Sequence, residues 1–150
     1  MSVIADKCSE IEINVVDINQ ERIDLWNNEN LKDLPIYEPG LDQIIKRSRG
    51  VNLHFSTEIA KSISEADIIF ISVNTPTKRK GIGAGQASDL KWVEASARQV
   101  AEFATGYTIV VEKSTLPVKT ASTIKSILGS FVEDKTFSVL SNPEFLAEGT

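Results

Sequence analysis

Only one cysteine, Cys8, and one histidine, His54, occur in 150 residues. A lone thiol cannot close an internal disulfide, so nothing requires an oxidising compartment and a cytoplasmic setting is expected. So few thiols and imidazoles also argue against zinc or iron–sulfur chemistry, which draws on several such ligands; no metal site is expected. No run approaches the roughly 20 apolar residues that span a bilayer. "MSVIADKCSE" is too polar for a secretory signal, so no membrane role is expected. Positive charge is short as well: 16 Lys and Arg stand against 21 Asp and Glu, a net −5. A nucleic acid repels such a chain, which argues against a general polyanion binder. Repeats, linkers and low-complexity tracts are absent.

What is present is an alternation of apolar runs and helical patterns. Strands are predicted over 11–17, 51–57, 67–73, 107–115 and 137–140. "DIIFISV" at 67–73 is the most apolar, as suits a strand buried on both faces. Helices are predicted over 19–28, with Ile23 and Trp26 on one side, 41–48, 58–66, 90–104 and 117–128. In the fourth, Val93, Ala97, Val100 and Ala104 form a stripe and Asp89 is a candidate cap. In the last, Pro117 opens the first turn and Gly129 lies beyond the end. Ser56 or Thr57 can cap the third. Two prolines and a glycine make "LPIYEPG" at 34–40 a loop. With 41% hydrophobic residues the chain fits one domain. The alternation is that of an α/β protein with a mostly parallel, doubly wound sheet.

In such sheets ligands sit outside the carboxyl ends of the strands. Here those ends read "DINQER", "ST", "NTPT", "EKST" and "NPEFLAEG", all polar, the rim of an expected active site. Asp17 ends its strand, followed by Asn19 and Arg22. In the dinucleotide-binding, Rossmann-like fold an acid here holds the ribose hydroxyls and disfavours a 2′-phosphate, selecting NAD over NADP. The competing reading makes Asp17 a cap for the helix from Gln20. The matching glycine-rich loop is expected roughly 20 residues earlier, so it and the first strand should precede residue 1, with "SVIADKCS" as the remnant of the following helix. "GIGAGQ" at 81–86 is a decoy: it follows "KRK", and its third glycine comes too soon, so a surface loop is expected.

Several strings together resemble one family. "VVDINQERI", "LPIYEPGL", "FISVNTPT" with "DLKWVEASAR", and "VVEKSTLPV" followed by "LSNPEFLAEGT" are similar to UDP-glucose 6-dehydrogenases, most of all the animal type. The resemblance spans essentially the whole chain. It implies a partial N-terminal NAD-binding domain, with central and C-terminal domains outside this chain. It implies NAD-dependent oxidation of UDP-glucose to UDP-glucuronate at the sugar's C6, through a thiohemiacetal and thioester on a cysteine. Matched by motif, Glu144 would be the general acid/base, and Phe145, Leu146, Ala147 and Glu148 would line the substrate and nicotinamide region. Thr115 would orient the hydrolytic water, and Ser114 and Glu148 would contact the NAD. Asp17 and Arg22 would hold the adenosine ribose, and Val73, Asn74, Thr75, Pro76 and Thr77 would run along the NAD. The stretch 113–119 is mobile in the family and linked to inhibition by downstream sugar nucleotides.

Plainer readings stand beside these. Glu144 and Glu148, spaced i,i+4, could be an exposed helix face. Thr115 could cap the helix at Pro117, Thr75 and Thr77 could be turn residues, and Arg22 an exposed helical charge. Tyr37 reads as packing, Trp26 and Trp92 as core or interface, and His54 as structural. Cys8 has no glycine-rich surroundings and is not the expected nucleophile, which should follow residue 150 with the catalytic lysine. The piece by itself is therefore expected to be inactive, and unstable for want of its central strand. A non-catalytic sugar-nucleotide-binding or regulatory subunit is the reading of another class. A dehydrogenase for a GDP- or amino-sugar is a third. The family is usually homo-oligomeric, hexameric in animals.

Overall fold

The computed structural model describes residues 1–81, 84–86, 88–114, 120–130 and 136–142. They form two compact units, Met1–Ser62 and Ile63–Thr150.

The first unit begins with α1 (Ser2–Lys7), the helix expected from "SVIADKCS", and continues through β1 (Ile13–Val16) and α2 (Gln20–Asn27). A 3-10 turn at Leu31–Asp33, not foreseen from the sequence, precedes α3 (Leu41–Ser48) and β2 (Leu53–Ser56). β1 and β2 pair in parallel, from Ile13 opposite Leu53 to Val16 opposite Ser56. The loop before α3 turns at Gly40, whose φ of 82° is a left-handed conformation that any side chain would strain. Ala5, Ile13, Ile23, Ile45, Leu53 and Phe55 form the core. Trp26 stacks on Phe55, with centroids 5.0 Å apart and planes 2° from parallel. The buried Asn52 amide ties α1 to this core, donating to the carbonyls of Ala5, Cys8 and Ile11 at 3.0, 3.3 and 3.1 Å. The Cys8 carbonyl also accepts from the Ile11 amide, at 3.1 Å. His54, inside β2, pairs its Nε2 with Glu12 Oε1 at 2.5 Å.

α4 (Ile59–Glu65) leads into the second unit, with the Glu58 amide donating to Ser56 Oγ at 3.3 Å. There β3 (Ile68–Ile71), α5 (Lys91–Phe103), β4 (Tyr107–Glu112), α6 (Thr120–Gly129) and β5 (Thr136–Ser141) follow. All pairs are parallel, in the order β3-β4-β5. Val93, Ala97, Val100 and Ala104 are all buried, as their spacing predicts; α5 packs on α6, in which Ile124 and Leu128 are buried. Asp89 does accept from the amide of Lys91, at 3.1 Å, although the cap position itself is Leu90.

Several expectations are corrected. β3 is not buried on both faces: Ile68 is 51% and Phe70 37% exposed on one face, while Ile71 on the other is buried. Tyr37 does not pack; it is 89% exposed on its loop. Trp92 is not core either, lying half exposed beneath the Lys91 ammonium, 4.8 Å from its ring centre. Gly129 is the last residue of α6 rather than one past it. Pro117 lies outside the described residues.

Candidate functional site

β1 ends at Val16, and the chain continues through Asp17 to Asn19, which opens α2. The cap is Asn19, whose side chain accepts from the Arg22 amide at 3.2 Å. The cap reading of Asp17 is thereby removed. Asp17 instead accepts from the Asn19 amide on Oδ1 at 2.9 Å and from the Arg22 guanidinium on Oδ2 at 3.2 Å. Each carboxylate oxygen offers about two acceptor positions, so one on each remains for another donor. A vicinal diol, such as the two hydroxyls of a ribose, has the matching pair of donors. The carboxylate is 28% exposed and reachable, and Arg22 holds its orientation. These residues fit the adenosine ribose of a dinucleotide.

In the second unit three parallel strands end side by side. Beyond β3, Val73 and Thr75 are partly buried while Asn74, Pro76 and Thr77 are exposed. The segment after them doubles back: Thr77 bridges Ser88 in antiparallel fashion, and the Asp89 amide donates to the Pro76 carbonyl at 2.7 Å. Gly81 and Gly85 turn within this loop, both with φ of 78°, as expected of a surface connection. Ser114, directly after β4, is buried and donates its hydroxyl to the Val73 carbonyl at 2.9 Å. The Lys113 amide donates to the Ile71 carbonyl at 2.9 Å. The predicted residues Val73 and Ser114 are therefore brought together, and their two segments are one structure.

Glu112, the last residue of β4, was read only as the polar end of a strand. It is 1% exposed, on the central strand of the sheet. Its Oε2 accepts from the Ser141 hydroxyl at 3.2 Å, while Oε1 is buried with no side-chain partner among the described residues. Burial raises its pKa above the ordinary 4.5; hydrogen bonds from the Ser141 side chain and the Ser114 backbone pull it partly back. The signal in the sequence was an acid closing "TIVV", an apolar run that buries whatever ends it.

Thr115, Glu144, Phe145, Leu146, Ala147 and Glu148 lie outside the described residues. Asp17 and Arg22 belong to the first unit, and Val73–Thr77 and Ser114 to the second.

Parallel strands joined by helices, with an acid after β1 and polar segments at the strand ends, define a nucleotide-binding domain of the dehydrogenase class. The model of the UDP-glucose/GDP-mannose dehydrogenase family, NAD binding domain, matches residues 1–150, and the chain belongs to that family. Its cofactor is NAD. UDP-glucose 6-dehydrogenase 3 of rice is 57% identical over 150 residues, covering 100% of this chain and 31% of that protein. UDP-glucose 6-dehydrogenase 2 of Arabidopsis thaliana is 55% identical, with the same coverage. The chain thus spans about a third of these relatives' length. They are plant enzymes, so the animal type is not confirmed. Among solved structures, a GDP-mannose dehydrogenase from Pseudomonas aeruginosa superposes with a TM-score of 0.78 at 29% identity, covering 98% of this chain and 34% of that one. A UDP-glucose dehydrogenase from the archaeon Pyrobaculum islandicum gives 0.76 at 30%, covering 93% and 32%.

Proposed function

We propose that the whole protein containing this chain is a UDP-glucose 6-dehydrogenase, oxidising UDP-glucose to UDP-glucuronate, cytoplasmic and homo-oligomeric. The observation that carries this is the 57% identity to a UDP-glucose 6-dehydrogenase across every residue of the chain. When bound, NAD takes up the electron pairs of the two oxidations from alcohol to acid. Asp17 accepts the adenosine ribose hydroxyls and Arg22 fixes its carboxylate. Val73–Thr77 and Ser114 lie along the dinucleotide. Glu144 takes the proton of the C6 hydroxyl as general base, Phe145–Glu148 line the sugar, and Thr115 orients the water that releases the acid. A thiolate is needed for the covalent stage. Cys8, at the end of α1 and before the Asp17 strand, lacks the glycine-rich surroundings that the resemblance implies for the nucleophile. The nucleophile is assigned to the remainder of the protein.

Replacing Glu144 with Gln in the whole protein tests the central role. A general base contributes about 10²–10⁴-fold, so turnover should fall by at least about 10²-fold with folding intact. Unchanged turnover removes Glu144 from the mechanism.

A further inference from the structure

β3, β4 and β5 advance across their sheet in sequence order, all parallel. Right-handed crossovers between strands that advance in one direction place both connecting helices, α5 and α6, on one face. Ile71, Thr108 and Val110 share a face and are all buried. The register puts the alternate residues on the opposite face: Ile68 and Phe70 beside Ile109 and Val111, and these beside Ser138 and Leu140. Tyr107 begins the same face of β4, and its hydroxyl donates to Ser138 Oγ at 2.9 Å. No charged side chain of the three strands stands on this face, in a chain of which 25% is charged. Val111, flanked by Phe70 and Leu140, is buried, yet the outer members are open: Ile68 is 51%, Tyr107 58% and Leu140 54% exposed.

A sheet face that meets water carries polar side chains, and parallel sheets are covered by helices on both faces. About two-thirds of the length of the UDP-glucose 6-dehydrogenases that match this chain lies outside the matched stretch. We propose that this face is an internal docking surface, covered in the whole protein by an apolar-faced helix of the same polypeptide from outside residues 1–150. A helix, about 10 Å across, is wide enough to lie along the middle of three strands spaced about 4.8 Å apart. A second copy of the chain is the poorer occupant. At about 4.8 Å between strands and about 3.3 Å per residue, the face measures on the order of 300 Å². A stable interface between separate chains takes about 800 Å² per partner. A segment of the same polypeptide is already tethered and gives up far less freedom on docking, so a face of this size suffices.

The test uses the whole protein, with the photo-crosslinker p-benzoylphenylalanine in place of Tyr107 and, in a second variant, of Leu140. The products are sized on a denaturing gel and their peptides identified by mass spectrometry. A product of single-chain mass, joined to a peptide from outside residues 1–150, is the expected result. A crosslink to a peptide within 1–150, a product of two-chain mass or attachment to another protein overturns the proposal, as does no crosslink from either position. Ile68→Lys and Leu140→Lys supply a second measurement. Each places a charge in a dry contact and should lower the melting temperature by at least about 4 °C. Val51→Lys, at a 69% exposed position of the first unit, should shift it by less than about 1 °C. Melting temperatures unchanged by both face variants overturn the proposal. Where neither variant folds, the crosslink decides. Neither measurement needs a sugar nucleotide, so failure of the proposed reaction leaves this inference standing, and the reverse.

Discussion

Replacing Asp17 with Asn should reverse part of the cofactor preference while leaving the fold nearly untouched. The substitution keeps the shape and an acceptor for the Asn19 amide, 2.9 Å away, but removes the charge that faces Arg22 and that is proposed to accept from the ribose. Hydrogen bonds to a charged group contribute about 1.5–3 kcal/mol against about 0.5–1.5 for neutral ones. With two ribose hydroxyls accepted, the loss is about 2–3 kcal/mol, a rise of roughly 30–150-fold in KM for NAD at 1.4 kcal/mol per tenfold. For NADP the sign is opposite. A carboxylate about 4 Å from a 2′-phosphate repels it by about 4 kcal/mol per unit of charge at an effective dielectric of 20. That penalty disappears, and Arg22 is released to pair with the phosphate. Screening trims the gain, but added to the loss for NAD it should lower the ratio of kcat/KM for NAD over NADP by at least about 10²-fold. Stability should drop by no more than about 1 kcal/mol, because the Asp17–Arg22 pair is solvent-accessible, its guanidinium 63% exposed. Steady-state kinetics with both cofactors, beside a urea melt, decide. A selectivity ratio within twofold of wild type would refute the assignment of Asp17, as would a large loss of stability at unchanged selectivity.

Other perturbations bear on the fold. Asn52→Ala should destabilise by about 2–4 kcal/mol in urea unfolding, since three carbonyls lose the amide that reaches them within 3.3 Å; a loss under about 0.5 kcal/mol would show the contacts to be idle. Thr108 is wholly buried and its hydroxyl has no partner among the described residues. Thr108→Val, nearly the same shape, should be neutral or stabilising by up to about 2 kcal/mol, and clear destabilisation would contradict that environment. Glu112 has its folded pKa raised above the ordinary 4.5. Its contribution is therefore fully present below about that pH and is lost as pH rises through the folded value. The stability of wild type relative to E112Q should fall over that window, and a difference that grows with pH would contradict the burial.

The elements were legible where period and punctuation agreed. "INVV", "LHFS" and the α5 stripe needed only alternation or helical spacing, because each has one clear apolar side. β3 misled because a continuous apolar run is the pattern of a fully covered strand, and pattern does not say whether both faces have cover. Tyr37 misled likewise: an aromatic side chain says that burial is favourable, not that a surface is there to receive it. At the site, Asp17 was legible as an acid ending a strand, but its release from capping depended on Asn19 two residues later. Glu112 escaped notice because "VVEKST" reads as a strand turning polar. Only the pairing of β4 with neighbours on both sides buries that carboxylate, and only the register of β5 brings Ser141 to it.

The account turns on the whole protein taking two electron pairs from each UDP-glucose. Purified protein incubated with limiting UDP-glucose and excess NAD, with NADH and UDP-glucuronate counted together, tests this directly. Two NADH per UDP-glucuronate are expected. No NADH from UDP-glucose, or one NADH per sugar with the aldehyde as end product, would contradict it.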